Sequence, residues 1–303
     1  MKRNGILVYT IVCFIYFFIS CNENEKTPLS FSNSIAPIIH ANCTTCHQPG
    51  ESGPFSLITY SDVKKRVATI KFAVNTNFMP PWPADRSYAH YNGERYLTAS
   101  QIDTINEWIK AGAPPGDTSK IKFTPIKQTY NVLGKPDLVL KMPAPFFIKG
   151  DNKDKFYLMK LPYEIDRDTF IKAIEFVPGN RKLVHHVNGL IVQYDYEKKK
   201  KMNEGEWVLD VEENSDRKTA YEKMKIPNDD GTYPMLTTSA FNYLPGMEPI
   251  IYPEGLGGYA IKRKGYLLFR DMHYGPSRED QYDSSYVNIY FSQKPPVRRT
   301  LEL

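Results

Sequence analysis

Cysteine is scarce in this chain: only Cys13, Cys21, Cys43 and Cys46 occur in 303 residues. Two lie near the N-terminus and two form a single Cys-x-x-Cys. None is left for a structural disulfide, and no second pair completes a four-thiolate zinc site. No Gly-x-Ser-x-Gly occurs, which removes the nucleophile elbow of serine hydrolases. No His-x-His occurs either, and there are six histidines in all. Arginine is nowhere clustered and the net charge is only +5, so nucleic acid is not an expected partner. No apolar run reaches the ~18 residues that a transmembrane helix needs, and no internal repeat is evident.

The N-terminus does carry a targeting pattern. Lys2 and Arg3 precede an apolar stretch from Ile6 to Ile19 that suits a signal peptide. Phe18-Ile19-Ser20-Cys21 resembles the bacterial lipobox, so residues 1–20 read as a lipoprotein signal peptide. Cys21 is then the lipidated mature N-terminus, and residues 21–30 form a polar tether. The expected location is the periplasmic face or the cell surface, anchored to a bacterial membrane by lipid rather than by a helix. An ordinary signal peptide with an incidental cysteine is the other reading.

Ala41-Asn42-Cys43-Thr44-Thr45-Cys46-His47 contains the C-x-x-C-H pattern of c-type haem attachment. Cysteines three apart share one side of a helical turn and can both bond one porphyrin, and the following histidine is carried under the iron. A soft distal ligand is expected downstream. Phe78-Met79-Pro80-Pro81-Trp82-Pro83 offers Met79 on a loop that the prolines hold extended, with His90 as the competing donor. A helix follows, capped by Thr98 or Ser100, with Ile102, Ile105 and Ile109 on one face and Ala111 to Pro115 ending it. His40 reads as a surface residue of the first helix. Residues 31–118 resemble a small class I cytochrome c, which implies one covalent haem ligated by His47 and Met79.

After a linker at 119–135, residues 136–303 change character. With 21 Tyr and 16 Phe in the chain, short aromatic and apolar runs separated by Pro, Gly, Asn and Asp suggest antiparallel strands. Such runs are 156–161, 169–177, 183–194, 265–272 and 286–292, whereas 195–257 reads as irregular. Within it, Asp229-Asp230-Gly231 reads as a turn. Lys198, Lys199, Lys200 and Lys201 read as a solvated loop, or else as a docking patch for an acidic partner. Three histidines fall in strand-like runs: His185 and His186 together, and His273 in Asp271-Met272-His273-Tyr274-Gly275. Three imidazoles suit copper or zinc. Neighbouring strand residues face opposite ways, so His185 and His186 share a metal only if the strand is bulged there. Otherwise one is a half-buried, hydrogen-bonded histidine and the other a surface one.

The His-His pair followed by Met-His-Tyr-Gly resembles the type II ascorbate-dependent copper monooxygenases, the peptidylglycine and dopamine class. That resemblance covers roughly 135–295 and implies His185, His186 and His273 as ligands of an electron-donating copper. The family activates oxygen at a second copper held by His-x-His and a methionine in a second domain, and this sequence has no such set. Either the chain is truncated at Leu303, or a partner supplies that site, or this member does not hydroxylate.

The expected fold is therefore multidomain: a small all-α cytochrome c domain followed by an all-β, jelly-roll-like antiparallel sandwich. The expected function is a membrane-tethered oxidoreductase in which a c-type haem feeds electrons to a three-histidine copper site. It would exchange electrons with an external donor or acceptor and act on a small-molecule or peptide substrate. The alternative is a non-catalytic electron-carrier lipoprotein whose β-module binds a partner.

Overall fold

A computed structural model describes residues 28–82, 84–91, 93–125, 130–237, 239–253, 255 and 258–298. The signal-peptide reading, Cys13 and the lipidation site Cys21 lie outside them, as does most of the tether. Five α-helices and twelve strands are present among the described residues. The helices are α1 (Ala36–Asn42), α2 (Tyr60–Lys64), α3 (Val67–Asn75), α4 (Ala99–Lys110) and α5 (Arg217–Lys223). The strands are β1 (Leu138–Lys141), β2 (Phe146–Ile148), β3 (Lys155–Glu164), β4 (Thr169–Val177), β5 (Val184–Gln193) and β6 (Val208–Asp210). They continue with β7 (Met235–Leu236), β8 (Phe241–Tyr243), β9 (Ala260–Ile261), β10 (Lys264–Tyr274), β11 (Gln281–Asp283) and β12 (Tyr286–Phe291).

The expectation of a small all-α cytochrome c domain ahead of an all-β sandwich is overturned. The chain is mostly β, and its helices are short and scattered: the longest, α4, has 12 residues, and α5 lies among the strands. Proline and glycine keep the stretches around Gly50 to Pro54 and Met79 to Pro81 in turns and bends instead of helix. The helical segment is also joined to the sheets by polar contacts. Glu51 pairs with Arg181 at 2.5 Å, and Arg95 donates to the Gly246 carbonyl at 2.6 Å.

All strand pairs are antiparallel. One sheet runs β1-β12-β4-β9, the larger runs β6-β3-β10-β5-β7 with β8 also on β5, and β11 pairs β2. Period-two alternation gives the larger sheet two buried faces. Met159, Leu267, Phe269 and Ile191 face a core shared with Leu140, Ile174 and Ile289 of the four-stranded sheet. Leu158, Leu190, Val192, Tyr266 and Leu268 face the other way. They are covered by Met202, Tyr221, Met224 and Ile226, so the irregular stretch after residue 195 serves as the lid of that second face. Residues 31–113 bury a smaller cluster around Phe31, Ile105 and Trp108. Thr98 caps α4 in a capping box with Gln101.

The lysine run is not simply a solvated loop. Lys199 is 3% exposed, and its amine donates to the carbonyls of Lys225 and Pro227 at 2.7 and 2.9 Å. Asp229 to Gly231 does form a turn, with Gly231 N–H donating to Asn228 O at 2.9 Å. Nearby, Lys160 on β3 is 2% exposed and donates to the carbonyls of Glu204 and Met224. Burial brings its amine down to about 8, with the positive Lys199 adding to the effect.

That shift has a definite sign. Below pH 8 the lysine is charged in both the folded and unfolded states. Between pH 8 and the unfolded value of 10.5, unfolding takes up a proton, so stability rises with pH. Against Lys160→Met, the wild-type chain is expected to gain about 1.5 kcal/mol between pH 8 and pH 9.5. Urea midpoints of the two proteins at both pH values check this, and parallel curves would refute it.

Candidate functional site

β5 and β10 are neighbours, and their register brings His273 beside both His185 and His186. His186 lies opposite His273 and Val184 opposite Tyr274, which leaves His185 as an extra residue in the ladder. This is the bulge that a shared site requires. The His185 and His273 rings stand 5.0 Å apart at 88°, and those of His186 and His273 stand 4.7 Å apart. Gly275 makes room: a Cβ there would sit 2.2 Å from Cε1 of His185. Phe156 stacks on the His273 ring at 4.3 Å and fixes its plane.

Two carboxylates orient the imidazoles. Asp154 Oδ1 lies 2.7 Å from Nε2 of His273, and Asp271 Oδ2 lies 2.9 Å from Nε2 of His186. With those nitrogens donating in neutral rings, both Nδ1 atoms carry lone pairs 3.2 Å apart; with one ring protonated the same contact is an Nδ1–H···Nδ1 hydrogen bond. Two bare lone pairs at that distance repel, whereas two ligands ~2.0–2.1 Å from a tetrahedral ion stand roughly 3.3 Å apart. His185 is held toward its neutral, ligating form: burial lowers its pKa first, and the neighbouring His273 and His186 add to that, against Asp154.

His185, His273 and Asp154 also offer ligand atoms that all lie within 4.8 Å of one another. That grouping would make Asp154 a direct ligand. Its 2.7 Å bond to Nε2 instead has the form of a carboxylate orienting a metal-bound histidine, and we prefer that assignment.

The Cys-x-x-Cys-His segment forms one helical turn beyond α1. His47 N–H donates to Cys43 O at 2.9 Å and Cys46 N–H to the same carbonyl at 3.2 Å. Both thiols are free. Burial, with Cys46 adding, pushes the Cys43 thiol up to about 12, and burial is also the main cause that raises Cys46. These environments favour uncharged sulfur, as in a thioether, over a thiolate metal ligand. Nδ1 of His47 lies 3.0 Å from Phe55 O. Donation there leaves Nε2 free to bind an axial metal, and burial keeps the ring neutral by lowering its pKa.

Gly53 lets the following loop close on this turn, because a Cβ there would lie 2.6 Å from Cys46 O. Met79 is half-buried in turns after α3, not on extended backbone, and its N–H reaches Ala73 O at 3.2 Å. Trp82 of the same loop has a buried indole N–H with no partner among the described residues. A carboxylate would satisfy that donor, and the fit to a haem rests on the two free thiols and on His47. His90 is exposed and lies 3.2 Å from Glu94. His40 is half-buried rather than at the surface, with Nε2 at 2.8 Å from Ile58 O.

Asp154, Asp271, Phe55 and Gly53 were not singled out from sequence as site residues. Asp271 was the most accessible of them, since Asp-x-His puts both side chains on one strand face. Asp154 lies in a loop whose approach to β10 no spacing announces. No protein-family model and no curated protein matches this chain.

Proposed function

We propose that this chain is a redox protein with two one-electron centres: a c-type haem on Cys43, Cys46 and His47, and a copper ion on His185, His186 and His273. What supports the second centre most is the pair of Nδ1 atoms facing each other at 3.2 Å, each imidazole held from behind by a carboxylate. What supports the first is a Cys-x-x-Cys-His turn with uncharged thiols and a histidine whose Nε2 is free.

A haem bound there supplies a one-electron couple, and a soft methionine ligand from Met79 keeps its potential high. The chain's own residues do the rest. Phe55 O fixes the His47 tautomer, Asp154 and Asp271 accept from Nε2 of His273 and His186 and so turn their Nδ1 atoms toward the ion, and Phe156 and Gly275 set the ring positions. Copper is favoured over zinc because a redox neighbour has use for a one-electron metal.

The reading includes a lipid tether at Cys21 and exchange with an external donor or acceptor. It assigns electron transfer alone; oxygen activation would call for a further ligand set. Full-length protein made with a working haem-ligation system tests the proposal. The expected result is one haem and one copper per chain, both reducible by a one-electron donor. A chain with normal haem absorbance and no bound copper after copper loading would reduce the function to that of a haem carrier.

A further inference from the structure

One short strand joins the two centres proposed above. Cys46 Sγ lies 3.7 Å from Pro245 O, so a sulfur of the Cys-x-x-Cys-His turn touches the segment that follows β8. Gly246 holds that segment against the turn. Its carbonyl accepts from Arg95 Nη2 at 2.6 Å, and a Cβ there would come within 2.5 Å of Thr45 Cγ2. With φ 76°, glycine takes the position without strain.

Two residues before Pro245, β8 enters the larger sheet. Tyr243 is the cross-strand neighbour of Val187 on β5, and Asn242 that of Asn188. Val187 directly follows His186 in the chain. On the other side of β5, Asn188 stands opposite Asp271, the carboxylate that turns His186. Tyr243 is 6% exposed and Phe241 4%, so water is kept out of the joint. From Pro245 to His186 the route is two residues of chain, one cross-strand step and one further residue. That is at most about 17 Å between Cα atoms.

A second link runs beside it. Glu51, four residues after His47, pairs with Arg181, four residues before His185. It is the longer route, with four residues of chain at each end and two long side chains between.

We propose that an electron passes within the chain from a ferrous haem on Cys43 and Cys46 to copper(II) at the three histidines, by way of Pro245, Leu244 and Tyr243 into β5. This rests on the redox reading and adds the route to it. Iron(II) becomes iron(III) and copper(II) becomes copper(I); no bond is made or broken and no proton moves.

Full-length, haem-loaded, copper-free protein is reduced, freed of reductant and mixed anaerobically with excess copper(II), while haem oxidation is followed in the Soret band. The expected course is a first-order phase whose rate saturates with copper and is independent of protein concentration. Zinc(II) produces none. Inserting Gly-Gly between Leu244 and Pro245 abolishes that phase, whereas Arg181→Met leaves it. Unchanged copper affinity and an unchanged Soret band show that the inserted variant is folded.

A readout without turnover uses the oxidised protein. The copper(II) EPR signal is expected to relax faster beside the ferric haem than in the haem-free Cys43→Ser, Cys46→Ser chain. Equal relaxation, oxidation that rises linearly with copper and with protein concentration, or a first-order phase lost in Arg181→Met but kept after the insertion would overturn the route. A chain that takes up no copper in chelator competition fails the redox reading itself, and the route with it.

Discussion

Full-length protein carrying Cys43→Ser and Cys46→Ser, made beside a working haem-ligation system, is expected to lose all covalent haem. Wild-type protein keeps its haem on a denaturing gel, and the double variant keeps none. The effect is complete because the two thioethers are the only covalent links that the Cys-x-x-Cys-His turn can make. Each single variant retains one link and an altered Soret band. Met79→Ala separates attachment from ligation: it keeps the thioethers but lowers the reduction potential, because the soft axial donor is gone. An unchanged potential would remove Met79 as a ligand. Wild-type protein without a Soret band would remove the haem altogether, and with it the reason to prefer copper over zinc.

Copper affinity is expected to collapse in His186→Ala and His273→Ala, since each removes one of the two Nδ1 donors that face each other at 3.2 Å. Asp154→Asn and Asp271→Asn leave the imidazoles in place but loosen their orientation, so they cost about 10- to 100-fold in affinity. Gly275→Ala belongs in the same series. Its Cβ would displace the His185 ring, so it lowers affinity without removing any ligand atom. Competition with a copper chelator of known affinity ranks the five variants against wild type. Equal affinity of wild type and His273→Ala would sink the site. If Asp154→Asn matches His273→Ala, then Asp154 is a direct ligand and the orienting assignment is wrong.

How much of this was legible beforehand depended on the range of the information. Cys43, Cys46 and His47 form a local pattern, and the turn they make is set by contacts within five residues. The strand-like runs were also readable, because alternation and aromatic content act over a few residues: β4 spans Thr169–Val177, the stretch the pattern marked. The N-terminal segment was misjudged. Its helical periodicity over Ile102 to Ile109 is real, but short helices separated by Pro- and Gly-rich turns do not make an all-α domain. Nothing in the order of residues indicated that Glu51 would pair with Arg181 or Arg95 reach Gly246.

His185 shows the boundary most clearly. Sequence alone stated the condition, that two adjacent histidines share a site only across a bulge, because side chains alternate along a strand. Whether the bulge exists was decided by the pairing of β5 with β10, a contact between segments some ninety residues apart. The same holds for Asp154 and Phe156. Residue types and their local spacing determine which atoms can donate, accept or ligate. Only the packed chain decides which of those atoms meet, because burial and strand register are summed over the whole fold.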